Sequence, residues 1–226
     1  MNKKTSRPVW LVTGAAGALG SEMVSQLLSH DIDCIALDSN FRELEKLHDH
    51  VLGQGLKAPA LMPLDLVGAG PDDYAQLAEI VEREFAGIDV LVHNAAAFVA
   101  LRPLLHQPPD EWFRIVQTGL TGPFLLTSAL MPLVSATDKG RVVFINDGYC
   151  LDKPANWAAY GIVQSGRSQM VRTLAAEIGR HGPKVLEIDP GAFYSRLRVA
   201  AWPSDSPEAL PTAAEAAENV IARILD

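Results

Sequence analysis

Short apolar runs and longer stretches of helical periodicity alternate along the whole chain. Val9-Trp10-Leu11-Val12 is a continuous apolar run of strand length, and the pattern from about Ala18 to Ser29 has helical spacing. The same pairing recurs as Cys34–Leu37 then Phe41–His50, and as Ala60–Leu64 then Asp72–Phe85. Val90–Val92 precedes a long helix from about Asp110 to Leu133, Val142–Ile145 a helix from Trp157 to Arg180, and Val185–Ile188 a closing helix from Thr212 to Leu225. Within Asp72–Phe85 the apolar residues Leu77, Ile80, Val81 and Phe85 fall on one face.

Strands that are apolar throughout, each separated from the next by a helix, predict a parallel sheet covered on both sides. Right-handed crossovers leave a doubly wound, three-layer α/β/α arrangement as the default. Residues 1–226 read as a single domain, with no linker, repeat or low-complexity stretch. The segment 196–211, which carries Pro203, Pro207 and Pro211, reads as a mobile surface loop beside a substrate site. No strand is expected after the last helix.

Composition narrows the function classes. A chain of 226 residues with 48% hydrophobic content can bury a large core. Its 19 basic and 27 acidic residues give a net charge of -8, which argues against nucleic acid or an anionic membrane as partner. Cys34 and Cys150 form no disulfide framework, and Cys150 is expected in a loop. The histidines show no metal-ligand spacing, so no metal is expected. Met1–Pro8 is polar and basic with no apolar signal core behind it, and no apolar run approaches the ~18 residues of a membrane span. A soluble, cytoplasmic protein is the expectation.

Thr13-Gly14-Ala15-Ala16-Gly17-Ala18-Leu19-Gly20 lies between the first strand and the first helix. Glycines there allow a sharp turn and a close approach to a pyrophosphate, which the helix N-terminus favours. Asp38 closes the second strand, where a carboxylate can accept hydrogen bonds from an adenosine ribose, and Ser39 follows it. With Ser39 and Asn40 next, rather than a basic residue, a 2′-phosphate meets repulsion; Arg42 is the one nearby exception, and it is expected on a solvated helix face. The pattern is that of a Rossmann fold binding NAD, with NADP less favoured.

These motifs resemble the short-chain dehydrogenase/reductase family from about Val9 to Ser195. The turn follows the TGxxGxxG spacing of that family's longer members, although the chain has the length of its shorter ones. Asp65, with Leu66 beside it, matches the aspartate near the adenine. His93-Asn94-Ala95-Ala96 resembles the family's NNAG, and Pro190-Gly191 with Ser195 resembles the nicotinamide segment. The likeness implies that Gly14, Ala16, Gly17, Ala18, Leu19, Gly20, Asp38, Ser39, Asp65, Leu66, Asn94, Ala95, Ala96, Pro190, Gly191 and Ser195 contact the cofactor. It also implies homodimers or homotetramers built from the long helix and the Tyr160-bearing helix, with Phe124 available for packing.

The family's catalytic side chains are a tyrosine, a lysine four residues later, a serine and an asparagine. Here Tyr160 fits the tyrosine, while Gln164, Asp147 and Gly119 stand at the other three positions. Tyr160 and Gln164 also count as cofactor-binding by that likeness. A tyrosine near pKa 10 needs a positive charge close by to act as a base, and Gln164 carries none. Asp147 opposes that ionisation if charged and donates a hydrogen bond if neutral, or it simply caps a turn before Gly148. Lys153 is either a substitute charge or an ordinary loop lysine. Ala97, Phe98, Tyr149, Phe193 and Leu197 suggest an apolar pocket for a small organic substrate. An oxidoreductase acting on a small carbonyl or alcohol through Tyr160, Asp147 and Gln164 is the leading reading. The alternatives are a nucleotide-binding sensor or scaffold without turnover, and a lyase or isomerase using Asp147.

Overall fold

The apolar runs pair edge to edge. In the computed structural model, which describes residues 7–226, six strands are formed: β1 (Val9–Thr13), β2 (Asp33–Asp38), β3 (Ala60–Pro63), β4 (Val90–His93), β5 (Arg141–Ile145) and β6 (Lys184–Ile188). All pairings are parallel, in the order β3-β2-β1-β4-β5-β6. The segment before Arg7, including most of the polar opening stretch, lies outside the described residues.

The helices are α1 (Ala18–Ser29), α2 (Phe41–Gly53), α3 (Pro71–Phe85), α4 (Pro109–Val116), α5 (Gly122–Ser135), α6 (Gly148–Asp152), α7 (Ala158–Ile178), α8 (Arg196–Ala201) and α9 (Ala213–Leu225). Strand alternation sends successive side chains to opposite faces. Trp10, Val12, Ala36 and Val92 pack with residues of α1, α2 and α9, whereas Val9, Leu11, Ile35 and Phe144 pack with α3, α5 and α7. The sheet is therefore buried on both sides at its centre. The outer strands β3 and β6 are only partly covered. The order reverses between β1 and β4, and in open α/β sheets ligands bind at that switch point, beyond the strands' carboxyl ends.

Three elements differ from the sequence expectation. The long helix is interrupted at Gln117–Thr121 by a π-helical turn. Pro123 has no N–H to reach the Gly119 carbonyl, so the α-helical ladder is broken and reset there. By length and composition, Pro109–Ser135 also resembles a membrane-crossing helix. Leu126, Leu130, Leu133 and Val134 instead fill the core beneath the sheet.

The segment 196–211 is not a bare loop, because it opens with α8. Ser195 caps that helix by accepting the Arg198 N–H at 3.1 Å. The Arg198 guanidinium lies over the Trp202 ring at 3.8 Å and pairs with Asp205 at 2.6 Å. Nor is Cys150 in a loop: it is buried in α6, where burial pushes its thiol up to about 12.

Candidate active site

The loops leaving the strands' carboxyl ends enclose one long cleft of about 980 Å³. The glycine turn forms one end. Gly14 has φ +64, and a Cβ there would lie 2.9 Å from Ala95 Cα. A Cβ on Gly20 would stand 2.1 Å from the Gly14 carbonyl oxygen, so only glycine lets α1 start so near the turn. Gly20 shapes the cradle without lining the cleft; Gly14, Ala16, Gly17, Ala18 and Leu19 line it. No side chain caps α1 and no acidic residue lies in its first turn, which leaves that helix end suited to a diphosphate.

Asp38 holds the turn from the neighbouring strand. One of its oxygens accepts the Ala16 N–H and the other the Asn40 N–H, each at 3.0 Å. Ser39, Asp65 and Leu66 continue the same wall. Asn94 links the β1 and β4 loops: its Nδ2 donates to the carbonyls of Thr13 (3.0 Å) and Gly14 (3.1 Å), while Thr13 Oγ1 accepts the N–H groups of Asn94 and Ala95. Ala95 and Ala96 form the floor beside it, and Pro190, Gly191 and Ser195 the far wall.

At the other end Tyr160, Asp147 and Gln164 come together. Tyr160 Oη donates to Asp147 Oδ2 at 3.4 Å, and Gln164 Oε1 accepts the Asp147 N–H at 3.2 Å. Asp147 also caps α6, since its other oxygen accepts the Tyr149 N–H at 3.0 Å. Burial raises the Tyr160 phenol well above its ordinary value, with the Asp147 charge pushing the same way. Asp147 is raised as well, chiefly by burial and further by Asp189. Gly119 is buried behind Val163, and a Cβ there would lie 2.4 Å from Val163 Cγ1, so the position has no room for a larger side chain as it stands.

Of the expected pocket residues, Ala97, Tyr149, Phe193 and Leu197 line the cleft. Phe98 does not, but its ring meets Tyr160 edge-on at 5.3 Å. Lys153, at the C-terminal end of α6, is exposed and does not line the cleft. His93 is a buried structural residue, its Nε2 2.7 Å from Thr127 Oγ1, and burial holds its pKa well below the usual value. Among the described residues no cluster could hold a metal ion.

The match to the family model for short chain dehydrogenases spans residues 8–205. The chain belongs to the short-chain dehydrogenase family. This is a family of oxidoreductases that use nicotinamide cofactors, and the glycine cradle fits one. The chain is 29% identical over 205 residues to the uncharacterised oxidoreductase YciK of Escherichia coli, covering 91% of this chain and 81% of that one. A short chain dehydrogenase from Shigella flexneri complexed with NADP superposes with a TM-score of 0.86 at 28% identity, covering 94% of this chain and 89% of that one. Another from Escherichia coli, complexed with NADPH, gives 0.88 at 27% identity, covering 99% and 92%.

Two residues at this dehydrogenase site escaped the sequence reading. Asp189, at the end of β6, lines the cleft and accepts the N–H groups of Gly148 (3.0 Å) and Gly191 (2.8 Å). A lone aspartate before Pro190 gave no signal. Arg167 is completely buried beneath the Tyr160 end, donating to the His93 and Ala95 carbonyls. Its signal was present: on the inward face of α7, which carries Tyr160, Val163, Gln164, Ser168 and Val171, it is the one full charge.

Proposed function

We propose that this short-chain dehydrogenase is NAD(H)-dependent and reduces a small carbonyl compound. Tyr160 is the proton donor, Asp147 the group that resupplies it, and Gln164 the support for both. The Tyr160–Asp147 contact inside the cleft carries this reading. The nicotinamide, when bound, supplies the hydride. Burial keeps the Tyr160 phenol protonated far past neutral pH, so its hydroxyl donates rather than abstracts. A neutral Asp147 removes the negative charge that opposes Tyr160 ionisation and can return a proton to Tyr160 Oη. Gln164 spends its carbonyl oxygen on the Asp147 N–H, which leaves its amide nitrogen for a ribose hydroxyl.

Asp38 supports NAD. A phosphate charge about 5 Å from that carboxylate, at an effective dielectric near 20, costs about 3 kcal/mol per unit of charge. The NADP and NADPH held by the Shigella and Escherichia relatives set the competing expectation. The rings of Phe98, Tyr149, Trp157 and Trp202 contact one another in series around Tyr160, which favours an apolar substrate body. Phe113 and Phe124, 69% and 56% exposed on α4 and α5, suit packing against a second copy.

The test is transfer of deuterium from NADH labelled at the nicotinamide C4 to a panel of aldehydes and ketones. Labelled alcohol is expected from the native chain, with a loss of at least 100-fold in Tyr160→Phe. NADH that binds but transfers no label to any carbonyl would favour the second reading, a nucleotide-binding protein without turnover. The uncharged Gln164 is the observation behind that reading.

A further inference from the structure

Tyr160 has a buried cation on its own helix. Arg167 lies seven residues on, on the same face, and is 0% exposed. Its guanidinium donates to the carbonyls of His93 and, at 3.3 Å, Ala95, the two ends of the segment that carries Asn94 beneath the cleft. It also faces the Phe144 ring at 5.7 Å. Its Nε is buried without a hydrogen-bond partner, and among the described residues no carboxylate stands within ion-pair distance. Two backbone carbonyls satisfy donors but do not neutralise a full charge. An uncharged side chain of the same length would fill that space without the cost of burying an unpaired ion.

We propose that Arg167 is a positioning residue that supplies the buried positive field against which Tyr160 releases its proton. It would do so from one turn further along α7 than Gln164, where the family's lysine belongs. The proposal rests on the reading of Tyr160 as proton donor. In the step concerned the carbonyl π bond breaks, hydride adds to carbon, and the Tyr160 proton adds to oxygen. The phenolate left behind is then reprotonated through Asp147. That transient phenolate is the species Arg167 stabilises.

The groups facing Tyr160 are Asp147 from the end of β5, Cys150 from α6 and Arg167 from α7. Asp189, just beyond β6, acts on Asp147 and on Cys150 in turn. Of these only Arg167 favours the phenolate. Burial pulls Arg167 down to about 10, so it remains charged at neutral pH, and Glu187 on β6 helps to keep it so. A unit charge within about 10 Å, at an effective dielectric near 20, changes an acid constant by about tenfold.

The experiment replaces Tyr160 with 3,5-difluorotyrosine, whose phenol ionises at lower pH, and follows its titration by fluorine NMR in the cofactor-free protein. Arg167→Met is expected to lower the acid constant of that phenol about tenfold, and Arg167→Lys to restore it. Arg167→Gln, which can still donate to the two carbonyls, should behave like the Met variant. It takes that variant's place if Arg167→Met does not fold. An unchanged titration in the folded neutral variant would overturn the proposal and leave Arg167 as a brace for the β4 loop. Because the titration needs no substrate, it remains readable even if the native chain reduces no carbonyl.

Discussion

At position 147 a single carboxylate has two jobs. One oxygen caps α6 and the other receives the Tyr160 hydroxyl. Capping was legible from Gly148 next to it; the contact with Tyr160 was legible only through the family alignment, because the two lie thirteen residues apart in sequence. Burial raises the Asp147 pKa, so its neutral form, the one proposed to resupply Tyr160, is populated on the acid side of that raised value. The rate of carbonyl reduction should therefore fall as pH rises through it. Asp147→Asn should lose that fall, leaving a flat profile over the same range at a lower rate. Initial rates across pH for the two proteins, at saturating NADH, give the answer. Arg167 shows the opposite limit of sequence reading. Its inward position follows from helical spacing, but no local pattern reveals that its guanidinium reaches the carbonyls of His93 and Ala95.

The π-helical turn at Gln117–Thr121 was invisible to periodicity, which reads 3.6-residue spacing straight through it. Its cause is local all the same, since Pro123 withholds the N–H that would bond Gly119. Gly119 and Val163 then fit each other across the α5 entrance and α7. Restoring the family's asparagine alone should force Val163 aside. Gly119→Asn is expected to destabilise the chain by about 1 to 3 kcal/mol, as overpacked sites do. Most of that loss should return in Gly119→Asn with Val163→Ala. Urea unfolding of the two variants measures it, and equal losses in both would mean that Val163 is not the obstacle. The segment after Ser195 carries the same lesson. Three prolines in 196–211 suggested an open loop, while the Ser195 cap, the Arg198–Asp205 pair and the Trp202 ring order its first half into α8.

For the molecule as a whole, the doubly wound sheet was the most legible feature. Six apolar runs separated by helices admit few parallel arrangements, and the position of the glycine turn at the first of them fixed which crevice would take a ligand. The outer strands were harder to read, because β3 and β6 each have a neighbour on one side only and lack the full burial of the centre. The cofactor end was legible because its requirements are backbone requirements: Gly14 at positive φ, Gly20 against the Gly14 carbonyl, and Asp38 on the Ala16 amide. That this end takes NAD in preference to NADP is the proposal most directly open to measurement. Titration calorimetry with NADH and NADPH, on the native chain and on Asp38→Ala, tests it directly. The native chain should bind NADH roughly 100-fold more tightly, with the gap closing to within about tenfold in the variant. Tighter binding of NADPH by the native chain, or no heat with either nucleotide, would contradict the account.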